Sequence, residues 1–101
     1  MEILSALKNF LDAEGRIASW PAKPRLKKLA LFYLAGKFVQ GKRYTEKEIN
    51  GIIDGWHTFG DYFMLRRDLC DRRFLCRERN GSAYWLNEER PTLADLGLEE
   101  E

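Results

Sequence analysis

An α+β fold, helices followed by a β-hairpin, is what this sequence predicts, and three observations predict it. Residues 25–38, RLKKLALFYLAGKF, carry apolar side chains at helical spacing with most of the cations off that face. Two short helical patterns follow, from Thr45 and from Asp61, each opened by a capping residue. Last, FLCRERNGSAYWLN sets Asn80 and Gly81 between two strand-like runs, the favoured pair for a two-residue hairpin turn.

Composition bounds the rest. With 101 residues, 45% of them apolar and 13% aromatic, the chain can close one modest core and reads as a single domain. Its 17 basic and 16 acidic residues nearly cancel to a formal +1, so total charge says little about partners. Distribution says more. Between Glu14 and Glu46 there is no acidic residue, yet Arg16, Lys23, Arg25, Lys27, Lys28, Lys37, Lys42 and Arg43 all fall there. The acids collect late, at Glu88, Glu89, Asp95 and Glu99–Glu101. The longest apolar stretch, Leu29 to Gly36, is far short of the roughly 20 residues a bilayer demands. MEILSALKNF also lacks a basic leader, so a cytoplasmic protein with no membrane partner is expected. Cys70 and Cys76 are then expected as reduced thiols. His57 is the single histidine, which leaves no ordinary zinc ligand set, and neither metal nor cofactor is expected.

Element by element, Ile3, Leu4, Leu7, Phe10 and Leu11 predict an amphipathic helix over 2–12 that stops at the DAEG turn. A short extended piece, Arg16 to Trp20, precedes Pro21 and Pro24. The central helix then presents Leu26, Leu29, Ala30, Tyr33 and Leu34 to the core, with its end marked by Gly41. Lys42 to Tyr44 is extended, Thr45 is an N-cap, and Glu48 completes a capping box. Ile49, Ile52, Ile53 and Trp56 form a buried stripe on the helix that follows. Gly55, His57 and Gly60 surround its end, with His57 capping or packing at the turn. Asp61 caps a further helix with Tyr62, Leu65 and Leu69 inward and Phe63, Arg66, Arg67, Cys70 and Asp71 outward or flanking. In the hairpin, an Asn80–Gly81 type I′ turn sets Arg79 opposite Ser82, Arg77 opposite Tyr84 and Cys76 opposite Trp85. That register assigns Arg77, Arg79 and Tyr84 to solvent and Phe74, Cys76, Ala83 and Trp85 to the core. Thr92 caps a turn ending near Gly97, and a frayed acidic tail follows.

This order is that of a winged helix, a helix-turn-helix variant closed by a β-hairpin wing, with an N-terminal helix added. The expected organisation is one domain over 1–101, with an extension at 1–22, a winged-helix core at 25–87 and an acidic tail at 88–101. The stretches FLDAEGRIASWPAKPRLKKLALFYLAGKF, RYTEKEIN and LRRDLCDRRFLCRE, and the pair Tyr84–Trp85, resemble a bacterial family, domain of unknown function 2087, over about Phe10 to Leu86. That resemblance implies a domain occurring alone or behind a separate helix-turn-helix region in transcriptional regulators. It assigns no chemistry. The family's LRR stretch maps onto Leu65, Arg66 and Arg67 and its later arginine onto Arg77, whereas Phe63, Cys70 and Cys76 lie outside the pattern.

Two functions of different class follow. In the first, the helix from Asp61 to Arg73 enters the major groove of duplex DNA, with Arg66, Arg67 and Arg73 on bases or phosphates. Arg77, Arg79 and Tyr84 then form a wing along the backbone or minor groove, and Lys42 and Arg43 hold a phosphate beside a helix N-terminus. One such helix reads a half-site, so a homodimer is expected. In the second, the fold is a protein-interaction or dimerisation module without DNA contact, using Phe63 and Cys70 as an apolar patch and Trp20 with the N-terminal helix as a further surface. Each residue also has a plain structural explanation. The arginines can belong to a solvated face with pairs such as Arg67–Asp71 or Arg66 with Asp61 or Asp68, the ribbon to an ordinary strand, and Lys42 and Arg43 to a turn. Asp68 and Asp71 also weigh against phosphate contact. Catalysis is not expected, because no glycine-rich phosphate loop, nucleophile elbow or paired metal-ligand motif is present and a core-forming chain of this length leaves little room for a shielded site.

Overall fold

A computed structural model of the chain describes residues 3–97. Its elements are α1 (Ile3–Leu7), α2 (Pro24–Ala35), α3 (Glu46–Gly55), α4 (Tyr62–Asp71) and an antiparallel hairpin of β1 (Leu75–Arg77) and β2 (Tyr84–Leu86). The fold is α+β, and the element order is compatible with a winged-helix layout. No described helix is long and apolar enough to cross a membrane.

The helices begin where the sequence says they should. Lys23 precedes Pro24, whose fixed φ suits the first helical turn. Thr45 accepts from the Glu48 amide at 3.1 Å, and Glu48 accepts from the Thr45 amide at 2.8 Å, so the capping box is complete. Asp61 accepts from the Met64 amide at 3.2 Å and caps α4. Their ends are less legible. The N-terminal helix stops at Leu7 instead of continuing to residue 12, because the chain turns there and Leu11 bridges Ile17. Helix α2 stops at Ala35 and not at Gly41, since the chain folds back so that buried Phe38 packs edge-on against Tyr44 with 5.7 Å between ring centres.

Buried Leu29, Ala30, Leu31, Leu34 and Ala35 make α2 the centre of the core. Helix α1 packs on it, α4 packs on both α2 and α3, and Leu7, Ile49, Ile53, Leu65, Leu69 and Phe74 close the interior. Ile52 and Trp56 of the predicted stripe are only half-buried, and Tyr62, expected inward, is exposed at the start of α4.

The N-terminal extension is a clamp on the turn between α3 and α4. The Ile17 amide donates to the Trp56 carbonyl at 2.8 Å, and the Thr58 amide donates back to the Ile17 carbonyl at 3.0 Å. Tyr33 donates to the Gly15 carbonyl at 2.7 Å, and Gly15 sits at φ +80°, where a Cβ would be strained and would come within 3.0 Å of that hydroxyl. Buried His57 fixes the same turn from inside. Its Nε2 accepts from the Asp61 amide at 2.9 Å, so Nδ1 carries the proton and donates to the Ile53 carbonyl at 2.7 Å. The imidazole therefore meets the Asp61 backbone and not its carboxylate, as a packing residue of the turn.

The hairpin keeps the predicted register, with Cys76 opposite Trp85 and Arg77 opposite Tyr84. Phe74 is buried and Arg77 and Arg79 are exposed, as expected, but Tyr84, Cys76 and Trp85 depart from the predicted faces. Leu75, Tyr84 and Leu86 point into the core, while Cys76 and Trp85 are half-buried. A third segment decides this. Tyr44 and Tyr84 exchange two backbone hydrogen bonds, each 2.8 Å, which docks the ribbon against the start of α3. The turn also differs from expectation. The Gly81 amide donates to the Glu78 carbonyl at 2.9 Å with Gly81 at φ +75°, whereas Asn80 avoids the positive φ that type I′ requires. The last ladder bond joins Glu78 to Ala83 at 2.9 Å, leaving Arg79 and Ser82 in the loop.

Thr92 and Asp95 cap a final turn reciprocally at 3.0 and 3.1 Å, ending at Gly97 with φ +71°. The acidic tail beyond Gly97 lies outside the described residues.

Candidate functional site

A concave surface of about 320 Å³ lies where α4 meets the ribbon, lined by Phe63, Arg66, Arg67, Cys70, Asp71, Arg77 and Tyr84. Three of the predicted DNA-contacting arginines and both α4 residues of the alternative patch thus share one cleft. They play unequal parts in it.

Arg66 is committed to the fold. Its guanidinium donates to Asn50 Oδ1 at 2.6 Å and lies 3.8 Å from Glu46 Oε1, and its side chain is only 13% exposed. Glu46 also accepts from the Tyr84 hydroxyl at 3.1 Å, so one carboxylate joins α3, α4 and β2. This network corrects two sequence-based expectations. Arg66 is a positioning residue and not an outward reader, because its donors face α3. Tyr84 is fully buried and not a wing residue, because its backbone pairs with Tyr44 and its hydroxyl finds Glu46 beneath the surface. Burial, helped by that bond to Glu46 and opposed by the Arg66 charge, holds the Tyr84 hydroxyl above the usual phenol range.

Arg43 is also occupied, donating to Glu78 at 2.6 Å and stacking on Trp85 at 4.3 Å from the ring centre. This pair lies on the other face of the ribbon and covers the tryptophan that the sequence reading assigned to the core. Lys42 reaches over the Tyr44 ring at 5.0 Å. Trp20 is half-buried and packs on the turn clamp against Phe59, with ring centres 6.3 Å apart.

Arg67 and Arg77 remain. Both are exposed, they come from different elements, and neither forms an ion pair among the described residues. The predicted Arg67–Asp71 pair is absent there, although Asp71 lines the same cleft. Arg72, Arg73 and Arg79 are exposed as well. Arg73 sits at φ +67°, the sole positive-φ non-glycine residue described, and ends α4 in a Schellman motif. Its amide donates to the Cys70 carbonyl at 3.1 Å, and the Phe74 amide donates to the Leu69 carbonyl at 2.9 Å.

Phe63 is 57% exposed, as the helical step predicted. Cys70 is half-buried, and burial raises its thiol pKa against the lowering influence of Arg77 and Arg66, which makes it a poor nucleophile. Among the described residues no group of three or more His, Cys, Asp or Glu side chains could hold a metal ion.

Sequence reasoning missed Glu46 and Asn50. The available signal was their four-residue spacing, which puts both on one face of α3, toward α4.

These features define the class, an α+β domain whose two capped helices and hairpin together build one basic, partly aromatic cleft. Residues 16–86 match a family described as an uncharacterized protein conserved in bacteria, DUF2087, and the chain belongs to that family. The match starts at Arg16, beside the Ile17 contacts of the clamp, and ends with β2. No curated protein and no solved structure matches the chain.

Proposed function

We propose that this domain is a cytoplasmic winged-helix module of transcriptional regulation that binds duplex DNA through α4 and the ribbon. The observation that carries the reading is the meeting of Arg67 and Arg77 in one cleft, from two elements, with neither charge neutralised among the described residues. Cations left exposed and unpaired are those able to displace counterions from phosphates. Arg72 and Arg73 extend the positive charge past the end of α4, and Arg79 stands at the hairpin turn where a wing meets the backbone. The contact set on this reading is Arg67, Arg72, Arg73, Arg77 and Arg79. Since one such helix reads a half-site, the active form on this reading is a homodimer.

A second reading, protein interaction without DNA, is favoured by one observation, the exposed ring of Phe63 beside half-buried Cys70. A salt titration separates the two. On the DNA reading, mixed-sequence duplex binds at low salt and affinity falls steeply toward physiological salt. Arg67→Glu abolishes binding while the far-ultraviolet circular dichroism stays unchanged. Absence of binding at low salt would leave the protein-interaction reading standing.

A further inference from the structure

We infer that the cleft between α4 and the ribbon seats one unpaired base of its nucleic acid, an inference that rests on the nucleic-acid reading and names what that surface holds. A recognition helix lying in a major groove offers a convex ridge. Here the same residues line a concavity of about 320 Å³, at the small end of the range for ligand sites. Its wall contains an aromatic ring that the core does not need. Phe63 remains 57% exposed even with the Arg66 guanidinium 5.2 Å from its ring centre. An exposed ring beside a fixed guanidinium is a stacking platform, and any base has a face to place on it. Arg66 is held in place by Asn50 and Glu46, so the platform is built before a ligand arrives.

The charges divide into two roles. Arg67 and Arg77 supply cations for the phosphates flanking the base. Asp71 in the same cleft would repel a phosphate, but its carboxylate can accept from the amino group of cytosine, adenine or guanine. The residue that weighs most against simple backbone contact thus gains a partner when a base enters. Thymine offers no amino group and is disfavoured.

The test compares two duplexes of identical sequence, one carrying a single bulged cytosine, by fluorescence anisotropy at fixed low salt. The bulged duplex should bind about tenfold more tightly, the scale of one base stacked on an aromatic side chain. Phe63→Ala, a change at an exposed position, should remove that advantage, and a bulged thymine should show less of it. Equal affinity for both duplexes overturns this inference and leaves duplex binding intact. An advantage that survives Phe63→Ala places the base elsewhere and overturns it too. Failure to bind either duplex overturns the nucleic-acid reading itself and this inference with it.

Discussion

Adjacent arginines on one helix turn out to serve different purposes. Arg66 donates to Asn50 and lies 3.8 Å from the Glu46 carboxylate, whereas Arg67 is exposed and unpaired among the described residues. Replacing Arg66 by alanine should therefore cost stability, by about 1.5–3 kcal/mol in urea denaturation, because a charge-assisted hydrogen bond is lost and a carboxamide is left without its partner. Arg67→Ala should stay within about 0.5 kcal/mol of the parent, as surface changes do, and act on binding alone. Arg73 supplies a third contrast. A left-handed backbone is costly for any residue with a Cβ, and the C′ position of a Schellman motif is where glycine is preferred. Arg73→Gly should raise stability by up to about 1 kcal/mol by removing that strain. If the guanidinium contacts phosphate, the same variant should bind duplex more weakly. Gain in stability with unchanged affinity would remove Arg73 from the contact set.

At the scale of elements, the helix starts were legible because capping is local chemistry. Thr45 with Glu48, and Asp61 alone, satisfy amides within their own first turns, and no distant residue has a say. Thr45→Ala should cost about 1 kcal/mol. The same box predicts a pH effect. The hydrogen bond from the Thr45 amide, with a smaller contribution from its side chain and from Lys42, holds the Glu48 carboxyl below its ordinary range against some desolvation. A depressed folded-state pKa stabilises above the unfolded value and loses its effect as pH falls through the folded value, so this contribution fades below about pH 4. Denaturation midpoints measured against pH should show a shallower acid limb for Glu48→Gln than for the parent. What stayed illegible was non-local. Strands of three residues are too short for alternation to choose a face, and both faces of this ribbon carry an aromatic ring. Tyr84 looks like a surface residue because it has a hydroxyl, yet Glu46 accepts from that hydroxyl beneath the surface. Trp85 looks like core, yet Arg43 covers it from outside. The shared cleft was partly legible, since helical spacing put Phe63, Arg67 and Cys70 on the outer side of α4. The capture of Arg66 by α3 depends on how two helices cross and could not be read from either one.

For the whole molecule, a formal charge of +1 makes long-range attraction to a polyanion weak, so any DNA affinity must come from where the charges sit. The acid-free segment from residue 15 to residue 45 does not act as one patch. Lys37 lies over the rings of Tyr33 and Trp56 at 4.4 and 4.0 Å, on the side of the turn clamp, and Arg43 is spent on Glu78 and Trp85. Among the described residues the late arginines Arg67, Arg72, Arg73, Arg77 and Arg79, on α4, at its end and in the ribbon, form no ion pair, and neither do Lys23, Arg25, Lys27 and Lys28 at the start of α2. Each phosphate neutralised on duplex DNA adds about 0.9 to the slope of log affinity against log salt. Contact by Arg67, Arg72, Arg73, Arg77 and Arg79 of one protomer bounds that slope near 4 to 5, and a homodimer on two half-sites doubles it. Arg67→Ala should lower the slope by roughly one unit per protomer, whereas Lys37→Ala should leave it unchanged. Equal losses from both variants would mean that DNA responds to the overall charge of the molecule and not to the surface formed by α4 and the ribbon.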